Sequence, residues 1–448
     1  MVFVSGRPSV RCESVLDPPP KPRCDVQHRA EDFSQNPKKP SKCGGFGRLS
    51  RPLIGGSIAC FRRMRLFWQK ERCQMTSCEL AIVGLGAVGG AALLAASREG
   101  IDVLGIDRYT PPHAFGSTHG ESRIVRAAIG EGVAYTPLAL RSFALWDQLA
   151  EETGVELVRR CGAIVLGEFE PGESHAEEDF FKTTTDAAIA HGIPHEILTA
   201  QQVRERFPAF GTFNEGEAYF EPGAGLAFPE RVVAQQIRRA RELGARVVLD
   251  TSVRKVLQNG SEVRITCAYG EITAKRAIIC AGPWMRSFLP PAWASSLEVT
   301  RQTVHWFDVV RDRPAHDPSR MPVFIWKNIY GFPLIGGPDA GIKIAGEDMS
   351  AFVDPDDVPR TISAMDVFAI EAKVRSRFPQ CGRHLRGEVC LYTKAPHSDF
   401  RVARHPDMDD VTIVSACSGH GFKHSAALGE ALVNDPQSLI AWDWPAPP

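Results

Sequence analysis

The sequence predicts a two-domain α/β chain, α+β overall, with one domain of strand-turn-helix units and a second domain rich in β-strands. Three observations predict it. The apolar strand Ala81-Ile82-Val83 runs into Gly84-Leu85-Gly86-Ala87-Val88-Gly89 and then into a helix. A comparable strand, Val411 to Ala416, meets a second turn at Ser418-Gly419-His420-Gly421 near the far end of the chain. Between about Leu297 and Leu391 the pattern instead turns β-rich and irregular. At 448 residues the chain exceeds one compact unit, so two domains are expected.

The first unit is a G-x-G-x-x-G turn in its full context. Gly84 makes the tight turn, Gly86 lets backbone approach a pyrophosphate, and Gly89 lets the helix pack on the strand. The helix reads from Ala87 to about Arg98 and stops at Gly100. A second strand, Val103 to Ile106, ends in Asp107, 18 residues after Gly89. That is close to the roughly 20-residue spacing of a ribose-binding carboxylate. A Rossmann-like dinucleotide site is therefore expected, with the pyrophosphate at a helix N-terminus where free N–H groups favour negative charge. The turn does not separate NAD from FAD.

Next comes a polar loop, Gly116-Ser117-Thr118-His119-Gly120-Glu121-Ser122-Arg123-Ile124-Val125-Arg126, which turns apolar only between its two arginines and suits a ligand wall. Helical spacing follows from Pro137 to Trp146, then a strand at Ala163-Ile164-Val165-Leu166 and a helix from about Asp179 to Ala190. Arg231 to Leu243 reads as a helix feeding the strand Arg246 to Leu249, and Val263 to Cys267 alternates as a half-buried strand does. The strand Ala277 to Cys280 ends at Ala281-Gly282-Pro283-Trp284, a turn of small residues suited to close approach by a ligand. Thr303 to Phe307 and Pro322 to Trp326 supply strands of the second domain, and a helix is expected from Lys423 to about Val433. The expected partition gives 75–158, 226–288 and 392–437 to the dinucleotide domain and 159–225 and 289–391 to the substrate domain, with 438–448 as a tail.

The net charge of −1 hides an asymmetry. Residues 1–74 hold 15 Lys and Arg against 6 Asp and Glu, and the remainder holds 37 against 47. An acidic body disfavours nucleic acid as a partner. The basic segment carries Pro18-Pro19-Pro20 and no sustained periodicity, so it reads as a disordered extension, with the functional start expected near Met75. No apolar run reaches the roughly 18 residues of a membrane span. The 12 cysteines are scattered without C-x-x-C, which points to a reducing cytoplasm and no metal site.

Over about Glu79 to Leu432 the sequence resembles the monomeric sarcosine oxidase and N-methyltryptophan oxidase family of flavoproteins. The residues that carry the likeness are the loop from Gly116 to Arg126, Pro137-Leu138-Ala139-Leu140-Arg141-Ser142, Val389-Cys390-Leu391-Tyr392-Thr393 and Ser418-Gly419-His420-Gly421-Phe422-Lys423. The resemblance implies a D-amino-acid oxidase/sarcosine oxidase-like fold, with FAD across the first domain and its ring at the domain junction. It implies that Cys390 bonds covalently to the 8α position of the flavin. His119 and Arg123 then supply the cationic field that a thiolate needs.

The same resemblance implies oxidation of secondary (N-methyl or cyclic) amino acids to an imine that hydrolyses, with reoxidation by O2 giving H2O2, in a monomer. Arg126 and Lys423 hold the substrate carboxylate, Tyr330 lines the substrate pocket, and Lys343 assists reaction with oxygen. Arg108, Ser117, Val253, Gly419 and Gly421 join Gly84, Gly86, Gly89 and Asp107 as cofactor-binding residues. One departure is Glu347, which stands where sarcosine oxidase has a pocket histidine and so puts sarcosine itself in doubt as the substrate. Alternatives are a flavin-dependent dehydrogenase using another acceptor, a nicotinamide dehydrogenase, and a flavin-binding protein without turnover. A metal hydrolase built on His420 and His424 would need the Glu of H-E-x-x-H, which is missing.

Overall fold

Thr76–Val83 is an interior strand of an eight-stranded sheet. This computed structural model describes residues 76–167, 180–268, 270–337, 339–346, 352–436 and 438–439. The expected disordered extension at 1–74, Glu347, and all of the C-terminal tail except Ser438 and Leu439 lie outside them.

On one side of Thr76–Val83 run Val103–Ile106 and then Arg246–Val248, and on the other runs Gly270–Ile279, all parallel. Gly270–Ile279 divides its outer edge. Its first half pairs antiparallel with Glu262–Cys267, beyond which lies Val253–Asn259. Its last three residues pair in parallel with Met408–Ser415, which Arg401–His405 joins antiparallel. Val83 is level with Ile106 and Ile279, and Ile279 with Ile413, so four parallel strands end at one edge. In open α/β sheets that edge is where ligands bind.

The composition of Ala87–Arg98, AVGGAALLAASR, dictates its place. It is small and apolar on every side, so the helix is buried from Gly89 to Ser97. It packs against Pro229–Glu242 and Ser425–Asn434. The second crossing is tight, since a Cβ on Gly429 would lie 2.5 Å from Ala91 Cβ and 2.6 Å from Ala92 N. Pro229–Glu242 is amphipathic instead, burying Val232, Val233, Gln236, Ile237 and Ala240 while its arginines face outward.

A second eight-stranded sheet has the order Cys381–Lys394, Glu298–Val309, Ile342–Gly346, Ile329–Phe332, Val323–Trp326, Ala163–Leu166, Glu217–Glu221, Glu196–Thr199. Only the Val323–Trp326 and Ala163–Leu166 pair is parallel. Strands from before and after the middle of the first sheet's chain therefore meet in one layer. Arg123–Val125, Gly225–Ala227 and Val158–Arg159 form a small third sheet.

Two expectations change. The polar loop is not irregular throughout, because Arg123–Val125 forms a strand against Gly225–Ala227. The last helix does not begin at Lys423. Gly421–His424 is a 3₁₀ turn, and the α-helix is Ser425–Asn434. The chain doubles back so sharply that a Cβ on Gly421 would lie 1.8 Å from Ala416 O. No helix among the described residues is long and apolar enough to cross a membrane.

Candidate active site

A cavity of about 480 Å³ opens at the carboxyl edge of the first sheet and extends to the second. Its first wall is the glycine turn. Gly84 has φ +90, and a Cβ there would lie 2.3 Å from Cys280 O. A Cβ on Gly89 would lie 1.8 Å from Gly84 O. Gly86 differs, because the nearest atom to a Cβ there is Thr118 Oγ1 at 3.8 Å. Its bare Cα keeps open a cradle on the cavity side, which is what a pyrophosphate needs.

Asp107, directly after Val103–Ile106, is buried and ties the turn together. Its carboxylate accepts Leu85 N–H at 2.7 Å through Oδ2 and Tyr109 N–H at 2.8 Å through Oδ1. A carboxylate has about four acceptor sites, so capacity for a ribose hydroxyl remains. Arg108 stacks over Tyr109 and Trp284 and pairs with Asp356 at 2.7 Å, while Trp284 Nε1–H donates to the same carboxylate at 2.8 Å. Trp284, Asp356 and Tyr109 line the cavity with Arg108, Val253, Gly419 and Gly421. None of those three was picked from the sequence, although Trp284 ends the small-residue turn.

The loop before Arg123 is fixed by charge. Glu230 Oε1 accepts the amides of Gly120 and Glu121 at 2.6 and 3.0 Å. Arg123 donates to Ser117 O at 2.7 Å and Ser122 O at 2.8 Å, and reaches Cys390 Sγ at 3.5 Å. Cys390 sits just behind the wall formed by Ser117 and Arg123, its thiol 3.5 Å from Ser117 O. Burial pushes Cys78 and Cys161 up to about 11 and Cys280 and Cys381 up to about 12. At Cys390 burial acts in the same sense, but the His119 hydrogen bond and the charges of Arg123, His119 and Lys343 outweigh it and bring the thiol down to about 7. Burial likewise opposes charge on His119, yet Cys390 and Glu388 raise it to about 9.

Lys343, on Ile342–Gly346, is fully buried. Its Nζ donates to Gly120 O at 2.7 Å, Ser122 O at 2.9 Å and Ser122 Oγ at 3.2 Å, which accounts for all three N–H bonds of an ammonium. Burial, with Arg123 beside it, pulls its pKa well below the ordinary lysine value.

At the far end of the cavity Arg126 and Lys423 meet. Arg126 Nη2 donates to Glu131 Oε2 at 2.6 Å, and Lys423 Nζ to Glu131 Oε1 at 2.9 Å and His420 O at 3.0 Å. Arg126 also donates to Ala128 O. The backbone there is set by Glu221, which accepts Ala127 N–H at 2.7 Å and Ala128 N–H at 3.1 Å. Burial would raise the Glu131 carboxyl, but Arg126 and Lys423 hold it well below the usual range. Glu131 and Glu221 escaped the sequence reading; the signal available for the first was Gly130-Glu131-Gly132, an acid between glycines just after Arg126.

Tyr330 and Tyr392 also line the cavity, near Arg123, their hydroxyls 3.1 Å apart. His420 Nε2–H donates to Ser398 O at 2.7 Å, and burial with Lys423 nearby lowers the ring to about 4, so a neutral imidazole lies beside the two cations. Arg126 and Lys423 are thus brought together, Arg123, His119, Cys390 and Lys343 form a second group with Tyr330 near Arg123, and Gly84, Gly86, Gly89, Asp107 and Arg108 form a third.

Residues 79–434 match the family described as DAO, FAD dependent oxidoreductase. Monomeric sarcosine oxidase of Streptomyces avermitilis is 32% identical over 363 residues, covering 80% of this chain and 92% of that protein. N-methyl-L-tryptophan oxidase of Yersinia pestis is 34% identical over 378 residues, covering 82% and 96%. Among solved structures, the open form of the Tyr258Phe variant of NikD, an amino acid oxidase of nikkomycin biosynthesis, superposes with TM-score 0.69 at 18% identity over 81% of this chain and 94% of that one. Glycine oxidase of Geobacillus kaustophilus gives 0.68 at 18% over 83% and 99%. The chain belongs to the FAD-dependent oxidoreductase family.

Proposed function

We propose that this chain is an oxidase of secondary amino acids, N-methyl or cyclic, giving an imine that hydrolyses, with dioxygen reduced to hydrogen peroxide. The observation that carries the reading is the shared carboxylate of Glu131. Two buried cations facing one acid leave a surplus positive charge at a cavity wall, which suits a substrate carboxylate.

The open cradle at Gly86 and the spare acceptor capacity of Asp107 fit FAD, whose isoalloxazine ring, when bound, supplies the two-electron acceptor. Arg126 and Lys423 take the substrate carboxylate, with Glu131 released from one or both of them. The cationic pair also favours loss of the amine proton, so the lone pair needed for oxidation is available. Tyr330 and Tyr392, whose paired hydroxyls line the same cavity, are the groups that orient the amine. Lys343, its Nζ held in place by three oxygens, is the residue that stabilises reduced oxygen in this reading. Cys390, the thiol lowered to about 7, is the residue proposed to carry the covalent flavin link.

The test is a panel of N-methyl and cyclic secondary amino acids added anaerobically to the purified flavoprotein. At least one should bleach the flavin absorbance and then yield peroxide in air. Bleaching without peroxide would favour a dehydrogenase, and no bleaching across the panel would overturn the reading.

A further inference from the structure

We propose that Glu221 is the positioning residue for Arg126, fixing the bend from which the guanidinium reaches the substrate carboxylate. The inference rests on the reading that Arg126 binds that carboxylate and adds the group that sets its aim.

Glu221 ends the strand Glu217–Glu221, level with Ala163 in the second sheet. A short turn then leads to Gly225–Ala227, which pairs antiparallel with Arg123–Val125 and puts Gly225 level with Val125. That turn is tight. Ala224 N–H donates to Glu221 O at 3.3 Å, and a Cβ on Gly225 would lie 2.0 Å from Arg159 O. The Glu221 side chain therefore meets the chain just where it leaves Val125. Its Oε1 accepts Ala127 N–H at 2.7 Å, and its Oε2 accepts Ala128 N–H at 3.1 Å and the Tyr219 hydroxyl at 3.0 Å. Tyr219 and Glu221 are two apart on one strand and share a face. Glu221 is only 1% exposed, a costly place for a carboxyl unless its oxygens are satisfied, and three donors satisfy them. Burial raises its pKa, opposed by the two amides, the Tyr219 hydroxyl and the Arg126 charge.

Ala128 passes the constraint to Arg126. The residue whose N–H is held by Glu221 gives its own carbonyl to Arg126 Nη1. One edge of the guanidinium is thus committed to a fixed bend, and Nη2 donates to Glu131 Oε2 at 2.6 Å. Phe180 backs the group, its ring centroid 5.0 Å from Arg126 Cζ. The chain is confined again at Gly130, where a Cβ would lie 2.5 Å from Thr184 Oγ1. Glu221 is not among the described residues that line the cavity, so it acts through this bend.

Glu230 does the matching task at the other end of Arg123–Val125, where its Oε1 accepts the amides of Gly120 and Glu121. Two acids from one stretch of chain thus grip the same segment at both ends. The end held by Glu221 leads to Arg126, and the end held by Glu230 leads to the oxygens around Lys343.

The experiment uses the purified flavoprotein with the N-methyl or cyclic secondary amino acid that bleaches the wild-type flavin fastest, its methyl ester, and acetate as a bare carboxylate. Glu221→Gln keeps the size of the side chain but replaces one acceptor oxygen by a donor NH2, so one backbone amide loses its partner. KM for the free acid and the dissociation constant of acetate should each rise about tenfold, while kcat and the kcat/KM of the ester stay within about twofold of wild type. In the Arg126→Gln background the same change should add nothing. Glu230→Gln should leave the preference for acid over ester as it is in wild type. Should Glu221→Gln fail to fold, Glu221→Asp, shorter but with both acceptors, should show the same selective rise. Equal losses with acid and ester, additivity with Arg126→Gln, unchanged acetate binding in a folded Glu221 variant, or the same altered preference in Glu230→Gln would each overturn the inference. A wild-type protein that treats acid and ester alike overturns the underlying reading of Arg126 instead, and the role of Glu221 with it.

Discussion

Arg126 and Lys423, which reach the cavity from opposite ends of the chain, hold the two oxygens of one carboxylate, Glu131, at 2.6 and 2.9 Å. Their net charge with Glu131 is positive, and a substrate carboxylate makes the balance even. Arg126→Gln and Lys423→Met should each lower kcat/KM for an amino-acid substrate by roughly 30- to 150-fold, the equivalent of about 2–3 kcal/mol for a charged hydrogen bond lost. Steady-state kinetics with one substrate checks this, and an unchanged kcat/KM in both variants would remove the pair from substrate binding.

Glu131→Gln should act in the opposite direction on ligands. Without its competing charge, a carboxylate inhibitor should bind more tightly, read as a lower inhibition constant or dissociation constant. The variant also has a pH signature. The folded Glu131 carboxyl titrates below its unfolded value, so its stabilisation is full above about pH 4.3 and is lost as the pH falls from there through the folded pKa. Wild type should therefore lose stability across that acid range, and Glu131→Gln should show a shallower loss in acid denaturation curves.

Much of this arrangement was legible in the sequence and part was not. The strand-turn-helix-strand-acid order from Ala81 to Asp107 is local, and the structure has its strands and helix where the motif places them. The roles expected of Arg126, Lys423 and Cys390 follow from the resemblance to a known family and not from periodicity. Glu131, Glu221, Glu230 and Glu388 were missed for a common physical reason. Each acts on a partner that only the fold brings near, and an isolated acid in a chain with 53 Asp and Glu carries no local pattern. Glu217-Ala218-Tyr219-Phe220-Glu221 escaped as a strand because it pairs on both edges and is buried nearly throughout, which erases polar-apolar alternation. The start of the last helix was misplaced because Gly421–His424 forms a 3₁₀ turn whose composition resembles a first helical turn.

The glycine turn separates fold from cofactor. A Cβ on Gly86 meets nothing closer than 3.8 Å, so Gly86→Ala should keep the thermal stability of the flavin-free protein while weakening FAD binding. Gly89→Ala should damage the fold itself, because its Cβ would lie 1.8 Å from Gly84 O and the helix would have to shift, at a cost of about 1–3 kcal/mol or more. Melting temperatures with and without FAD distinguish the two; equal loss of apoprotein stability in both would contradict the role given to Gly86.

Lys343 is proposed to act on oxygen and not on the amine. Lys343→Met should slow reoxidation of the reduced protein by about 100-fold or more, as removal of a fixed charge-stabilising donor does elsewhere. Its anaerobic reduction by the same substrate should change little. Stopped-flow absorbance in the two half-reactions gives both rates from one preparation, and a parallel fall in both would place Lys343 in the structure of the loop it caps at Gly120 and Ser122.

The central claim, that an amino acid is oxidised while Arg126 and Lys423 hold its carboxylate, is tested most directly by anaerobic flavin absorbance with a matched pair of compounds. An N-methyl or cyclic secondary amino acid that bleaches the flavin is compared with its methyl ester, identical at the amine and lacking the anionic charge. The free acid should bleach the flavin rapidly and the ester hardly at all, with Arg126→Gln erasing most of the difference. Equal bleaching by acid and ester in the wild-type protein would contradict the account.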